Sequence, residues 1–232
     1  MKGICLTFDD GLRSHYDFVR PLLKENNVKG TFFICANNPW PINHALREEL
    51  MTTKELKQMQ DDGFELGNHT FSHPDLKKLD ESQIKDQITK LNAFFERNKL
   101  KRPSSFCYPA YRASTEISQI LKELKFSHAR TGYIYDDHPW QHSKDVERPK
   151  LSYYPTNCES SLLIKSTGIV NDVYGFEDFK LDVKGAPENS YCIFTFHGLK
   201  VENRINDFNK IVKYIKQNNF PTFNLSDIDA YE

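Results

Sequence analysis

Two aspartates stand side by side in LTFDDG (residues 6–11), and two histidines stand four positions apart in GNHTFSHPDL, as His69 and His73. Adjacent like charges are unfavourable unless something positive stabilises them, and a divalent cation does so. On a helical turn, the i,i+4 spacing puts two imidazoles on one side, able to converge on one ion at about 2.0–2.1 Å per Zn–N bond. Two neutral imidazoles and one carboxylate bind such an ion and leave a position open for water, as catalytic zinc sites do. One of Asp9 and Asp10 is then a ligand. The other is free to take a proton from the metal-bound water, whose pKa the ion lowers.

Two further stretches could complete the chemistry. His197 follows the apolar run YCIFTF and precedes Gly198, a position suited to an acid that protonates a leaving group. In CYPAYR, Pro109 marks a tight turn from which a backbone N–H could face a developing oxyanion.

The elements that must position these groups alternate along the chain. Short apolar runs (GICLTF, GTFFICA, FELGNH, SSFCYPA, FSHART, SSLLIKST, SYCIFTF and PTFNL) read as strands. Segments of helical period lie between most of them: SHYDFVRPLLKENN, TTKELKQMQDDG with a Thr cap, DESQIKDQITKLNAFFERN, STEISQILKELK and RINDFNKIVKYIKQNN. The stretch from Gly132 to Pro155 reads as a long surface excursion. The pattern predicts an α/β protein with a parallel sheet, open or closed into a barrel, and in both forms ligands gather at the C-terminal ends of the strands. Asp9, Asp10, His69 and His197 all fall at such ends.

Bulk composition excludes several roles. The 232 residues carry 31 Lys plus Arg against 32 Asp plus Glu, so no global field favours nucleic acid or anionic lipid. No apolar stretch is long enough to cross a bilayer, and the opening MKGICLTFDDG turns polar too early for a signal peptide; the expected location is the cytoplasm. Cys5, Cys35, Cys107 and Cys192 lie in apolar or aromatic runs, form no CxxC pair, and are expected to be reduced core residues.

These motifs, in this order, resemble the polysaccharide deacetylases of the NodB homology type, carbohydrate esterase family 4. TFDDG matches the first motif of that family without change, and HTFSH matches the second; the similarity runs from residue 4 to about 200. The resemblance implies one domain over residues 1–232, folded as a distorted (β/α) barrel of parallel strands with outer helices. It implies a hydrolase that removes acetyl groups from N-acetylated or O-acetylated carbohydrate by attack of a metal-bound water. The cofactor is one divalent ion, zinc foremost, with cobalt, nickel or manganese as substitutes. Carried over by position, Asp9 is the general base, Asp10, His69 and His73 are the metal ligands, and His197 is the acid. Tyr111 supplies the oxyanion N–H. The partner is an acetylated sugar or glycan, with no nucleic acid and no membrane.

The third motif departs from the family: Tyr108 stands where an arginine is usual and Arg112 where a glycine is, so Arg130 and Arg112 become the candidates for steadying Asp9. The fourth motif has only Asp136, Asp137 and Trp140 to offer. His15, His44, His128, His138 and His142 read as structural or surface residues, and Trp40, Phe71, Tyr135 and Trp140 as packing aromatics that could stack on sugar rings. Two rival functions are a hydrolase of the same fold acting on a non-sugar amide or imide, and a glycan-binding protein that has lost catalysis. A two-metal phosphoesterase lacks the carboxylates for its second ion.

Overall fold

The computed structural model describes residues 2–37, 48–132, 153–155, 160–170, 174–199 and 202–231. Among the described residues nine strands form one sheet: β1 Gly3–Phe8, β2 Thr31–Ile34, β3 Glu65–Asn68, β4 Ser105–Cys107, β5 His128–Thr131, β6 Ile164–Lys165, β7 Gly168–Val170, β8 Tyr191–Phe196 and β9 Thr222–Phe223. Their order is β6-β5-β4-β3-β2-β1-β8-β7, and every paired neighbour is parallel. β9 pairs with the first half of β1, below the part that pairs with β2.

The sheet is curled into the expected distorted barrel. Its two edge strands, β6 and β7, follow one another in a single segment, the first paired with β5 and the second with β8. Between them the Ser166 N–H donates to the Thr131 carbonyl at 3.2 Å and the Thr167 N–H to the Ile193 carbonyl at 2.6 Å. One stretch of chain thus closes the ring without a direct β6–β7 ladder.

Strand alternation sorts the side chains into an inner and an outer layer. On β1, Ile4, Leu6 and Phe8 pack outward with Leu23, Met59 and Ile211 of surrounding helices, while Cys5 joins Phe33, Cys107 and Ile193 inside the ring. The helices Thr53–Asp61 and Glu81–Arg97 begin at capping boxes built on Thr52 and Asp80. Helix Phe176–Gly185 and strand β7 were not expected from the sequence pattern. The helix buries Phe179 and Val183 but starts at Gly175, which offers no side-chain cap, and leaves Leu181 54% exposed, so its periodicity is blurred. Most of the predicted excursion from Gly132 to Pro155 lies outside the described residues, as does Cys158; the other four cysteines are free and buried. No helix among the described residues is long and apolar enough to cross a membrane.

The inner layer has little spare room. A Cβ on Gly67 would lie 2.4 Å from the Phe33 ring, and Phe33 in turn packs under Arg130. Gly67→Ala is therefore expected to lower stability by about 1–3 kcal/mol through overpacking. Urea unfolding checks this, and an unchanged midpoint would mean the inner layer is looser than described.

Candidate active site

The candidate catalytic and metal-binding residues Asp9, Asp10, His69, His73, Tyr111 and His197 gather at the C-terminal rim of the barrel. At the end of β1, Asp9 continues the ladder, its N–H donating to the Phe196 carbonyl at 3.0 Å, and its side chain turns into the ring. The next residue departs from the strand: Asp10 has φ 74° and Gly11 φ 70°. That left-handed pair of residues sends the two neighbouring carboxylates to different surroundings.

Asp9 is 1% exposed and meets the guanidinium of Arg130, which is fully buried on β5. Of the two arginines proposed to replace the missing third-motif residue, it is Arg130 that makes the pair. Strand geometry explains why. Tyr108 shares the outward face of Phe106, packs in the outer layer and donates its hydroxyl to the Leu162 carbonyl at 2.7 Å. Cys107 faces inward, and its register partner is Arg130. Position 130 can therefore reach Asp9, and position 108 faces away. The guanidinium also lies over the rings of Phe33 and Tyr111, 5.2 and 5.7 Å from their centroids, a cation–π arrangement beside its unpartnered Nε and Nη1. Burial by itself would raise the Asp9 pKa, but the charge of Arg130, helped by His69 and His197, brings it down to about 2. Asp9 is a carboxylate at any working pH.

Asp10 faces the two histidines: its Oδ1 is 3.8 Å from His69 Nε2 and 3.6 Å from His73 Nε2. The expected helical turn is absent. Residues 69–75 form a loop in which Thr70 (φ 66°) and His73 (φ 55°) are left-handed. Side chains rather than a helix hold it: the Thr70 N–H donates to Asn68 Oδ1 at 2.8 Å and the His73 N–H to Thr70 Oγ1 at 3.1 Å. The imidazoles still converge, with ring centroids 4.8 Å apart. His69 Nδ1–H donates to the Cys107 carbonyl at 2.8 Å, which leaves Nε2 to face Asp10. Burial, reinforced by His73, lowers the His69 pKa to about 3, and burial lowers that of His73. Two neutral imidazoles and one carboxylate thus face a common space, a donor set that fits a divalent ion.

His197, at the end of β8, is the most open of these groups, with its side chain 37% exposed and Nε2 3.6 Å from Asp9 Oδ2. The Tyr111 hydroxyl lies 3.4 Å from the same nitrogen. The sequence reading offered the backbone N–H of Tyr111 as an oxyanion donor. Here that N–H donates to the Tyr108 carbonyl at 3.0 Å, closing the tight turn around Ala110 (φ 49°), and the hydroxyl is what faces the site.

Three residues read as core or structural also reach the rim. His15 is fully buried, with Nε2 3.2 Å from the His197 carbonyl. Cys107 Sγ is 3.7 Å from both oxygens of Asp9, and Cys35 Sγ donates to the His69 carbonyl at 3.0 Å. Both cysteines stand at strand ends, the same positional signal that marked the aspartates. His128 is buried as expected, its Nδ1 2.9 Å from Ser127 Oγ. Trp40, His44, Tyr135, Asp136, Asp137, His138, Trp140 and His142 lie outside the described residues.

A parallel sheet curled into a ring carries two carboxylates and three histidines at its C-terminal rim, a (β/α) barrel site equipped for metal binding and proton transfer. Residues 1–129, more than half of the chain, match the model of the polysaccharide deacetylase family, and the chain belongs to that family. A chitin deacetylase of Arthroderma benhamiae is 35% identical over 130 residues, covering 53% of this chain and 32% of the relative. The peptidoglycan-N-acetylmuramic acid deacetylase PdaA of Bacillus subtilis is 32% identical over 133 residues, covering 57% and 44%. The chain thus spans less than half the length of these curated relatives. Among solved structures, the chitin deacetylase of Colletotrichum lindemuthianum has a TM-score of 0.65 at 19% identity over 97% of this chain and 86% of that one, a likeness of fold.

Two expectations follow from these environments. Arg130→Met leaves Asp9 buried without its counter-charge and is expected to lower stability by about 3–5 kcal/mol, read by urea unfolding; a loss below about 1 kcal/mol would mean the pair is not buried as described. His15, held neutral by burial, has its pKa lowered from 6.5 to about 4. Its unfolded form binds more protons in that window, so stability is expected to fall as pH drops from about 6.5 towards 4, by up to about 1.4 kcal/mol per pH unit. Replacing His15 with Phe should flatten that slope in a pH series of thermal melts.

Proposed function

We propose that this chain is a metal-dependent hydrolase that removes acetyl groups from N-acetylated or O-acetylated carbohydrate. The observation that carries the reading is the division between the two aspartates: Asp9 is bound to Arg130, while Asp10 faces His69 and His73. Asp10, His69 and His73 would hold one divalent ion, zinc foremost. An ion held there would lower the pKa of a water and polarise the acetyl carbonyl.

The chain's own residues supply the proton transfers. Asp9 takes a proton from the attacking water, and Arg130 keeps its carboxylate ionised and fixed for that role. His197, on the open side, gives a proton to the departing amine or alcohol. The Tyr111 hydroxyl, beside His197 Nε2, walls the site and can donate to the oxygen that gains charge. The relatives named as chitin and peptidoglycan deacetylases support an acetylated amino sugar as the substrate class.

Acetate release from acetylated chito-oligomers, peptidoglycan fragments and acetyl-xylan tests this directly. Release from at least one substrate, abolished by a chelator and restored by zinc, is expected. His197→Ala should lower kcat by about 10²–10⁴-fold. Bound metal without hydrolysis across the panel would favour the non-catalytic reading, and release that survives chelation would sink the proposal.

A further inference from the structure

We propose that Cys35 is an additional protein ligand of the metal ion, so that the site presents a thiolate beside Asp10, His69 and His73. The inference rests on the reading of these residues as a metal site and adds to it the identity of a sulfur donor.

Two clusters among the described residues bring three ligand atoms within 4.8 Å of one another: Asp10, Cys35 and His69, and Asp9, Cys107 and His69. Each pairs one aspartate of the motif with one cysteine at a strand end. They differ in what surrounds them. The second contains Asp9, already neutralised by the buried guanidinium of Arg130, and its Cys107 is the register partner of that arginine. A cation placed there would sit against a fixed positive group. In the first cluster the acid beside Cys35 is Asp10, whose carboxylate also faces His69 and His73. The carboxylate and the two imidazoles there are the donor set that fits a divalent ion.

Backbone geometry sets the position of Cys35. It follows β2 directly, with Ile34 in register with Asn68, and the His69 N–H donates to the Ile34 carbonyl at 3.0 Å. Two adjacent strand ends therefore carry the thiol and the imidazole side by side. The thiol donates to the His69 carbonyl at 3.0 Å. On coordination, that S–H bond breaks, the proton leaves to solvent, and the sulfur pair is given to the ion. A soft donor in an otherwise nitrogen and oxygen set favours zinc and cobalt over manganese and magnesium.

The experiment uses the full chain, stripped of metal under a non-thiol reductant and titrated with Co²⁺, then Zn²⁺. Wild type is expected to show a near-ultraviolet thiolate-to-cobalt band, and a Zn–S distance of about 2.3 Å by X-ray absorption. Both features should vanish in Cys35→Ser and Cys35→Ala and persist in Cys107→Ser. Zinc affinity should fall about tenfold or more in the Cys35 variants, with manganese affinity changing less. One ion bound without sulfur in wild type, or sulfur lost in Cys107→Ser but kept in Cys35→Ser, overturns this proposal and leaves the metal site standing. No ion bound at all overturns both.

Discussion

Asp9 and Arg130 hold opposite charges almost wholly buried in the barrel, and each would be untenable there without the other. The pair fixes one carboxylate of the DDG motif in the inner layer, ionised and oriented. That leaves its neighbour to serve another purpose. The left-handed backbone at Asp10 and Gly11 then turns the second carboxylate towards His69 and His73. Two like charges one residue apart become tolerable because Asp9 has its own counter-charge and Asp10 faces two imidazoles.

The barrel makes this possible through register and alternation rather than through any single element. Parallel strands end on one rim, so groups from β1, β2, β3, β4 and β8 meet there although they are separated by long stretches of sequence. The inner layer includes small or flat groups such as Cys5, Cys107 and Phe33, and the guanidinium of Arg130 lies over the Phe33 ring. Helices cover the outer face and take up Tyr108, whose position on β4 can no longer serve Asp9.

Much of this was legible in the residue pattern. The strand and helix rhythm announced a parallel sheet, open or closed, the family resemblance implied its closure into a barrel, and the paired aspartates, HxxxH and His197 marked its rim. What was not legible depended on three-dimensional parity. Tyr108 and Arg130 are far apart in sequence, and only the pairing of Cys107 with Arg130 shows which of them faces inward. His69 and His73 carry a spacing that suits a helix, yet Asn68 and Thr70 capture the backbone N–H groups and impose a loop that achieves the same convergence. Cys35 and Cys107 read as core residues because their surroundings are apolar; the strand-end rule that located the aspartates applies equally to them. Helix Phe176–Gly185 escaped notice because its start lacks a side-chain cap and one of its leucines faces water.

The proposed activity requires the two aspartates to divide their work, one on a guanidinium and one on a metal ion. Calorimetric titration of zinc into metal-free Asp9→Asn and Asp10→Asn tests it most directly, with circular dichroism confirming that both remain folded. One equivalent of zinc should still bind Asp9→Asn, while Asp10→Asn should lose most of its affinity. Equal loss in the two variants, or loss confined to Asp9→Asn, would contradict the division.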